Sequence, residues 1–382
     1  LSFQASLSIP SLRDLSSASL SMQQFRSVLN GREVSGSFVV DGFRKSRVTA
    51  NLKGTIELAD LLAFYPVEEI RNGEGVIDFD IQFKGRTEDL KDKRTAQRVS
   101  TAGRLQLSNI DIELSEYDIP MTGMSGTLTF NNNDLAIDKM SAKLGDSDFE
   151  LNGVFRNIIA FLLFEDQPIG IEAKLLSSFV DLDQILEATT KSTKKGEYSF
   201  SINPKLFLAF DCSIDKLRFR RFEPRNIKGN LKVKDRLALG KDLYADVFGG
   251  NALITGLVDG RLDEDIVVEV KSTLKDINAD QVFYVFENFG QQWIRDEHLK
   301  GEVDAEVTAK MAFDDKLNLK SERLVSDIDF LVKNGELNNF EPLLGLNKYV
   351  EDRNLSRLRV AEISNSIHIE NKTVYLPQME VR

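Results

Sequence analysis

Chemistry at neutral pH falls most readily to histidine, a thiol, paired carboxylates or clustered arginines, and this chain is sparing with the first two. It holds two histidines, His298 and His368, and one cysteine, Cys212. Neither histidine belongs to a Ser–His–Asp, Cys–His or metal-ligand spacing. Both are therefore expected to be structural or solvated. Cys212 has no basic neighbour in sequence to lower its pKa, which fits a packed thiol better than a nucleophile. A lone cysteine also excludes an internal disulfide and leaves the redox compartment open.

Carboxylates are plentiful, with Asp78 beside Asp80 and a cluster over residues 263–265. Either group has the oxygens for Ca²⁺ or for acid and base work. Asp78 and Asp80, however, alternate with apolar residues and so fall on the wet side of a strand. The cluster lacks the alternating ligand pattern of a calcium loop. Asn354 and Asn371 open two N-x-Ser/Thr acceptor patterns, which also arise by chance. Arg218, Arg220, Arg221 and Arg225 form the one basic knot in an acidic chain. Arginine suits phosphate geometry, so Arg218, Arg220 and Arg221 are candidates for contact with a lipid headgroup or an acidic partner. The plainer reading is a solvated strand end. No Gly-rich loop stands between a strand and a helix, and no catalytic residue, metal or cofactor is indicated.

The elements that carry these residues are mostly strands. GVIDFDIQFK, Gly75 to Lys84, sets Ile77, Phe79, Ile81 and Phe83 against Asp78, Asp80, Gln82 and Lys84. GEVDAEVTAK, Gly301 to Lys310, repeats that pattern, with Val303, Ala305, Val307, Ala309 and then Met311 opposing Asp304, Glu306, Thr308 and Lys310. Strict alternation marks a strand with one wet and one apolar face. Shorter alternating runs recur at 48–52, 105–107, 126–130, 149–151, 198–202, 231–233, 266–270, 366–369 and 374–376, separated by Gly, Asn and Asp turns. The continuous apolar run from Ile158 to Phe164 reads as a buried strand.

Internal repeats organise these strands. SGTLTF at 125–130 matches KGNLKV at 228–233, and Phe149 to Gly153 matches Ala252 to Gly256 at the same offset. Three further segments, 57–64, 180–188 and 277–289, each place Asp before an apolar run of helical spacing and read as short capped helices. A unit of one short helix and a ladder of strands thus recurs about every 100 to 120 residues, the mark of stacked units. The expected division is 1–95, 96–196, 197–300 and 301–382, joined in one elongated body with charged boundaries at 89–95 and 191–197. The fold class is mainly β: an elongated, curled antiparallel sheet, groove-like and repeated, with a few short α-helices.

Composition supports a folded chain. Of 382 residues, 42% are hydrophobic and 29% charged, and the net charge is −11 with no basic tract, so nucleic acid is not an expected partner. No apolar run approaches the roughly 18 residues that span a bilayer. The chain opens at Leu1 without a signal pattern and Arg382 falls within an alternating run, so an anchor or signal is expected outside these residues.

The apolar sides of so many strands must be covered, since burying one large side chain is worth about 1.5–3 kcal/mol. Three short helices cannot roof them. Either sheet packs on sheet as a sandwich, or one sheet curls into a trough completed by an apolar ligand. Ile77, Phe79, Ile81, Phe83, Leu128, Phe130, Leu231, Val233, Val303, Val307 and Met311 would line such a trough. The sandwich would make the protein a structural or assembly module instead, a spacer or docking scaffold.

One resemblance favours the trough. The segment from Gly335 to Val350, then that from Leu355 to Val381, resembles the C-terminal motif of the AsmA-like family of bacterial envelope proteins. It is carried by Gly335, Leu337, Asn339, Phe340, Pro342 and Leu343, then Ile367, Ile369, Asn371, Leu376, Pro377 and Met379. The step Phe248-Gly249-Gly250 is similar to a repeated family pattern, and Val360 stands where the family has Phe. The likeness covers about residues 229–382 in detail and the first half by repeat rhythm only. It implies a non-enzymatic groove, periplasmic and anchored in the inner membrane. Such a protein is similar to bridge-like lipid transfer proteins, which shield phospholipid acyl chains. The implied role is moving phospholipid between inner and outer membranes, or maintaining outer-membrane lipid balance. Membranes at both ends and other envelope proteins are the implied partners.

Overall fold

The computed structural model describes residues 2–86, 88–89, 95, 98–115, 118–163, 166–188, 201–262, 265–345 and 355–377. The fold is mainly β, with 65% strand and 13% helix, in curled, unclosed, mostly antiparallel sheet, as the alternation predicts. The chain divides into two compact units, the first formed by Leu1–Leu176 with Asn203–Phe210, the second by Ser177–Ile202 with Asp211–Arg382.

The first unit runs through β1 (Ser2–Ser8), β2 (Ser19–Leu29), β3 (Arg32–Asp41), β4 (Arg47–Glu57) and β5 (Ile70–Arg86). It continues with β6 (Ser100–Leu114), β7 (Met121–Asn131), β8 (Asp134–Leu144), β9 (Ser147–Arg156) and β10 (Ile169–Ser177). Each strand pairs antiparallel with the next. Helix α1 (Leu58–Phe64) lies between β4 and β5, and α2 (Ile158–Leu163) between β9 and β10.

The second unit opens with β11 (Val180–Asp181) and α3 (Leu182–Glu187); β11 runs parallel to the end of β12 (Leu206–Arg218), a strand whose residues 206–210 belong to the first unit and 211–218 to the second. An antiparallel meander follows: β13 (Arg225–Lys234), β14 (Leu237–Val247), β15 (Gly250–Asp259), β16 (Ile266–Asn278), β17 (Leu299–Phe313), β18 (Val325–Asn338), β19 (Arg357–Glu370) and β20 (Thr373–Tyr375). Helix α4 (Ala279–Val285) precedes β17, and α5 (Glu341–Leu344) follows β18.

One device recurs in both units. Gly75 on β5 faces two residues of β6, Asn109 and Ile110; Gly301 on β17 faces Asn334 and Gly335 of β18. Likewise Gly126 on β7 faces Lys139 and Met140, and Gly229 on β13 faces Asp242 and Leu243. In all four the first opposing residue is left-handed: Asn109 at φ 48°, Lys139 at 49°, Asp242 at 50° and Asn334 at 53°. These are β-bulges, which bend a strand and increase its twist, and so curl the sheet. At Gly75, φ is +108° and a Cβ would stand 2.4 Å from the Asn109 carbonyl oxygen, so no other residue fits without strain. The paired offsets seen in sequence are thus a repeated bend.

Several expectations need correction. Residues 158–163 form a helix, not a strand. Asn157 turns left-handed at φ 61°, ending β9, and the Ala160 N–H donates to Asn133 Oδ1 at 3.2 Å, fixing the first turn. An apolar run of that length does not distinguish the two, because a fully buried helix is also apolar all round. Phe164 lies outside the described residues. The three predicted helices are all present, with α2 and α5 in addition among the described residues, but only α3 is capped by its aspartate. Asp181 Oδ1 accepts from Gln184 N–H at 3.2 Å, whereas Asp60 and Asp280 sit inside the first turn, behind Glu57 and Asn278. There they favour the helix dipole rather than cap it. Ile202 is buried outside any strand; Tyr198, Phe200 and the 191–197 boundary lie outside the described residues, as do Asn354, Met379 and residues 263–264.

Candidate functional site

The cross-strand registers place the predicted lining residues on one face in each unit. In the first, Val34, Gly54, Phe79, Leu105, Leu128, Ile137, Gly153 and Ala173 stand opposite one another in succession from β3 to β10. Neighbouring rows carry Ile77 with Leu107, Ile81 with Leu52, Phe83 with Ala50, and Phe130 with Leu135. In the second unit, Val233, Ala238, Val258, Val268 and Met311 form one such row. Leu231 begins another through Gly240, Gly256, Val270 and Ala309, and Val307 pairs Ser272 on one side and Ile328 on the other. Val303 lies between Ile277 and Val332. Directly opposed apolar side chains on one face are the unit of sheet stabilisation, and here they also make a floor.

The floor is incompletely covered. Of the predicted lining residues, only Leu128 (6%) and Val233 (8%) are buried; Ile77, Phe79, Ile81, Phe83, Phe130, Leu231, Val303, Val307 and Met311 are half-buried. In the first unit the face opens further toward β1. Phe3 lies in the row of Phe25, Gly36, Leu52 and Ile81 and is 58% exposed, and Leu7 is 60% exposed.

Short helices close the ends. Leu58 and Leu62 of α1 sit over Gly73, where a Cβ would stand 2.6 Å from Leu58 Cδ2. Leu58 joins the buried cluster of Leu107, Ile110, Leu128, Leu135, Ile137 and Met140. At the opposite end of β5, Ala160 of α2 is fully buried with Val99, against Phe83 and Ile159. In the second unit Val282 of α4 covers Ala245, Val247, Ala252 and Ile277. Sequence reasoning missed α2 and the bulges. The glycines that recur at matching repeat positions, Gly75 with Gly301 and Gly126 with Gly229, were the signal available for the bulges.

The other face is wet and ion-paired. Asp80 meets Lys53 at 3.4 Å, and Asp78 accepts from Thr55 Oγ1 at 2.5 Å. Glu306 accepts from Thr273 Oγ1 at 2.9 Å, and Lys333 reaches Asp304 at 2.6 Å, holding that carboxyl below the usual range. Asp265 is likewise held down by hydrogen bonds from Lys320 and Arg323. These acids serve strand pairing. Among the described residues no group of His, Cys, Asp or Glu could hold a metal.

The arginine knot is engaged within its own unit. Arg218 pairs with Asp181, which is only 2% exposed, and lies 5.6 Å from the Phe179 ring centroid. The Arg220 N–H donates to Asp183 Oδ2 at 2.7 Å. Arg221 lies 5.0 Å over the Tyr284 ring and donates to the Tyr284 carbonyl at 3.0 Å. Together they tie the Phe219–Phe222 turn to α3 and α4. Arg225 is exposed on β13. His298 is buried and its Nδ1 accepts from Arg295 N–H at 3.1 Å; Cys212 is buried, which, with the charge of Asp211, pushes its thiol up to about 11.

No known family, curated protein or solved structure matches this chain. No helix among the described residues is long and apolar enough to cross a membrane.

Proposed function

We propose that the protein is a non-enzymatic lipid-binding groove, each unit solvating acyl chains along its apolar face. The supporting observation is the row of apolar or glycine positions from Val34 to Ala173, continuous over eight strands yet half-exposed at Phe79 and open toward Phe3. A face of this kind gains about 0.8 kcal/mol for each CH₂ group moved onto it from water. The polar face on the other side keeps the protein in solution while the apolar face is occupied. With the likeness of residues 335–377 to the AsmA-like C-terminal motif, the reading extends to phospholipid transport between inner and outer membranes, in the periplasm, from an inner-membrane anchor.

Mass spectrometry of protein purified without detergent tests it. Wild type should carry phospholipid; Ile81→Asp and Val307→Asp should carry several-fold less; Asp80→Asn and Glu306→Gln should match wild type. Equal loading of all four variants, or none in wild type, would overturn it.

A further inference from the structure

On the wet face of the first unit, where β4, β5 and β6 end together, a cleft of about 450 Å³ is lined by Arg47, Lys84, Arg86, Arg98 and Ser100, with Gly85 and Asp89. Asp89 is the one acid among these lining residues, in a chain whose net charge is −11. The strand register sets Arg47 directly opposite Arg86, and Lys84 directly opposite Ser100. Like charges opposed across a strand pair destabilise it. On the same face Lys53 opposes Asp80, and Arg26 pairs with Glu33. None of the four cleft cations has a hydrogen-bond or ion-pair partner for its side chain among the described residues. Beneath the cleft the strand ends are fixed, because Val99 is 1% exposed and fills the space beside Gly85, 2.9 Å from where a Cβ would stand.

We infer that this cleft is a binding site for a phosphoryl group, held by the guanidinium groups of Arg47, Arg86 and Arg98, the ammonium of Lys84 and the hydroxyl of Ser100. A planar guanidinium matches phosphate oxygens in pairs, and the bonds are charge-assisted at both ends. A dianion between Arg47 and Arg86 turns their repulsion into two attractions. The same chemistry serves free phosphate, a phosphate monoester or an anionic lipid headgroup. The site lies on the opposite face from the apolar floor and does not depend on the lipid reading of that floor.

Calorimetric titration with inorganic phosphate, and flotation with phosphatidylcholine vesicles with and without phosphatidylglycerol, test the inference and separate its sources. Wild type should bind phosphate or the anionic vesicles, more weakly as salt rises. The double variant Arg47→Gln/Arg86→Gln should lose roughly tenfold or more in affinity, and Lys53→Gln, on the same face but paired to Asp80, should not. Phosphate binding without vesicle binding assigns a small phosphorylated ligand, and Arg-dependent vesicle binding alone assigns a headgroup; either supports the site. Thermal melting provides a check on folding: without phosphate the double variant should melt at or above the wild-type temperature, and added phosphate should stabilise wild type alone. Failure of wild type to bind either probe, or equal binding by the double variant, would overturn it. Because Ile81 is untouched, that failure leaves the acyl-chain reading intact.

Discussion

His368 is a residue whose charge is set by its neighbours across the sheet. Its Nδ1 lies 2.7 Å from Asp327 Oδ1 across the β18–β19 pair, and Glu370 lies 3.8 Å from Nε2. The Asp327 hydrogen bond is the largest cause raising the imidazole above its ordinary 6.5. A pKa raised on folding means that the charged form is favoured in the native state. The pair therefore contributes its full stability below pH 6.5 and loses it as pH climbs through the raised native value. Asp327→Asn should return the His368 titration, followed by NMR, toward 6.5, and should flatten the melting temperature over that window. An unchanged titration would show that Asp327 does not set it. Cys212 stands at the other extreme, a thiol kept protonated by burial.

Among the elements, the bulged strands carry the clearest mechanical demand. At Gly75 a side chain would collide with the Asn109 carbonyl, and at Gly301 it would stand 3.1 Å from Gly335 Cα. Backbone atoms in a ladder cannot move aside without breaking pairing, whereas Gly31, in the turn between β2 and β3, meets no such neighbour. A Cβ at Gly31 would have nothing within 4 Å of it. We expect Gly75→Val to cost about 2–4 kcal/mol, combining backbone strain and overpacking, and Gly31→Ala to cost roughly 1 kcal/mol for its left-handed backbone alone. Urea unfolding measures both, and equal midpoints for the two variants would refute the role assigned to the bulge. Helix α3 makes the same point from the other side: its Asp181 serves at once as cap and as the Arg218 partner, so one carboxylate fixes a helix start and a strand end.

For the molecule as a whole, the consequence of an apolar floor of limited length is a chain-length dependence. Lipid-stripped protein, titrated with saturated fatty acids from decanoate to hexadecanoate, should gain about fourfold in affinity per added CH₂ group while the chain still lies on the floor. Affinity that stays flat with chain length would mean that the acyl chain is not what is bound. The helices at the ends of each floor bear on where that gain stops. Leu58 and Val282 occupy the face beyond Ile77 and Val303, and Ala160 occupies it beyond Phe83.

What the residues determined by themselves was local and periodic. Alternation in 75–84 and 301–310 fixes which side chains share a face, because the strand period of two allows no other assignment once the strand is granted. The Asn-rich and Gly-rich turns mark where strands stop, and the shared offsets of Gly126 with Gly229 announce a repeat. The tertiary structure decided what period alone leaves open. It made 158–163 a helix, because Asn157 turns the chain and Asn133 caps it. It gave Gly75, Gly126, Gly229 and Gly301 their purpose, which depends on the strand opposite. It set Arg218, Arg220 and Arg221 against carboxylates and rings, while bringing Arg47 and Arg86, distant in sequence, face to face. Charge and burial are properties of neighbours across the sheet, and neighbours are chosen by register and curl rather than by sequence distance.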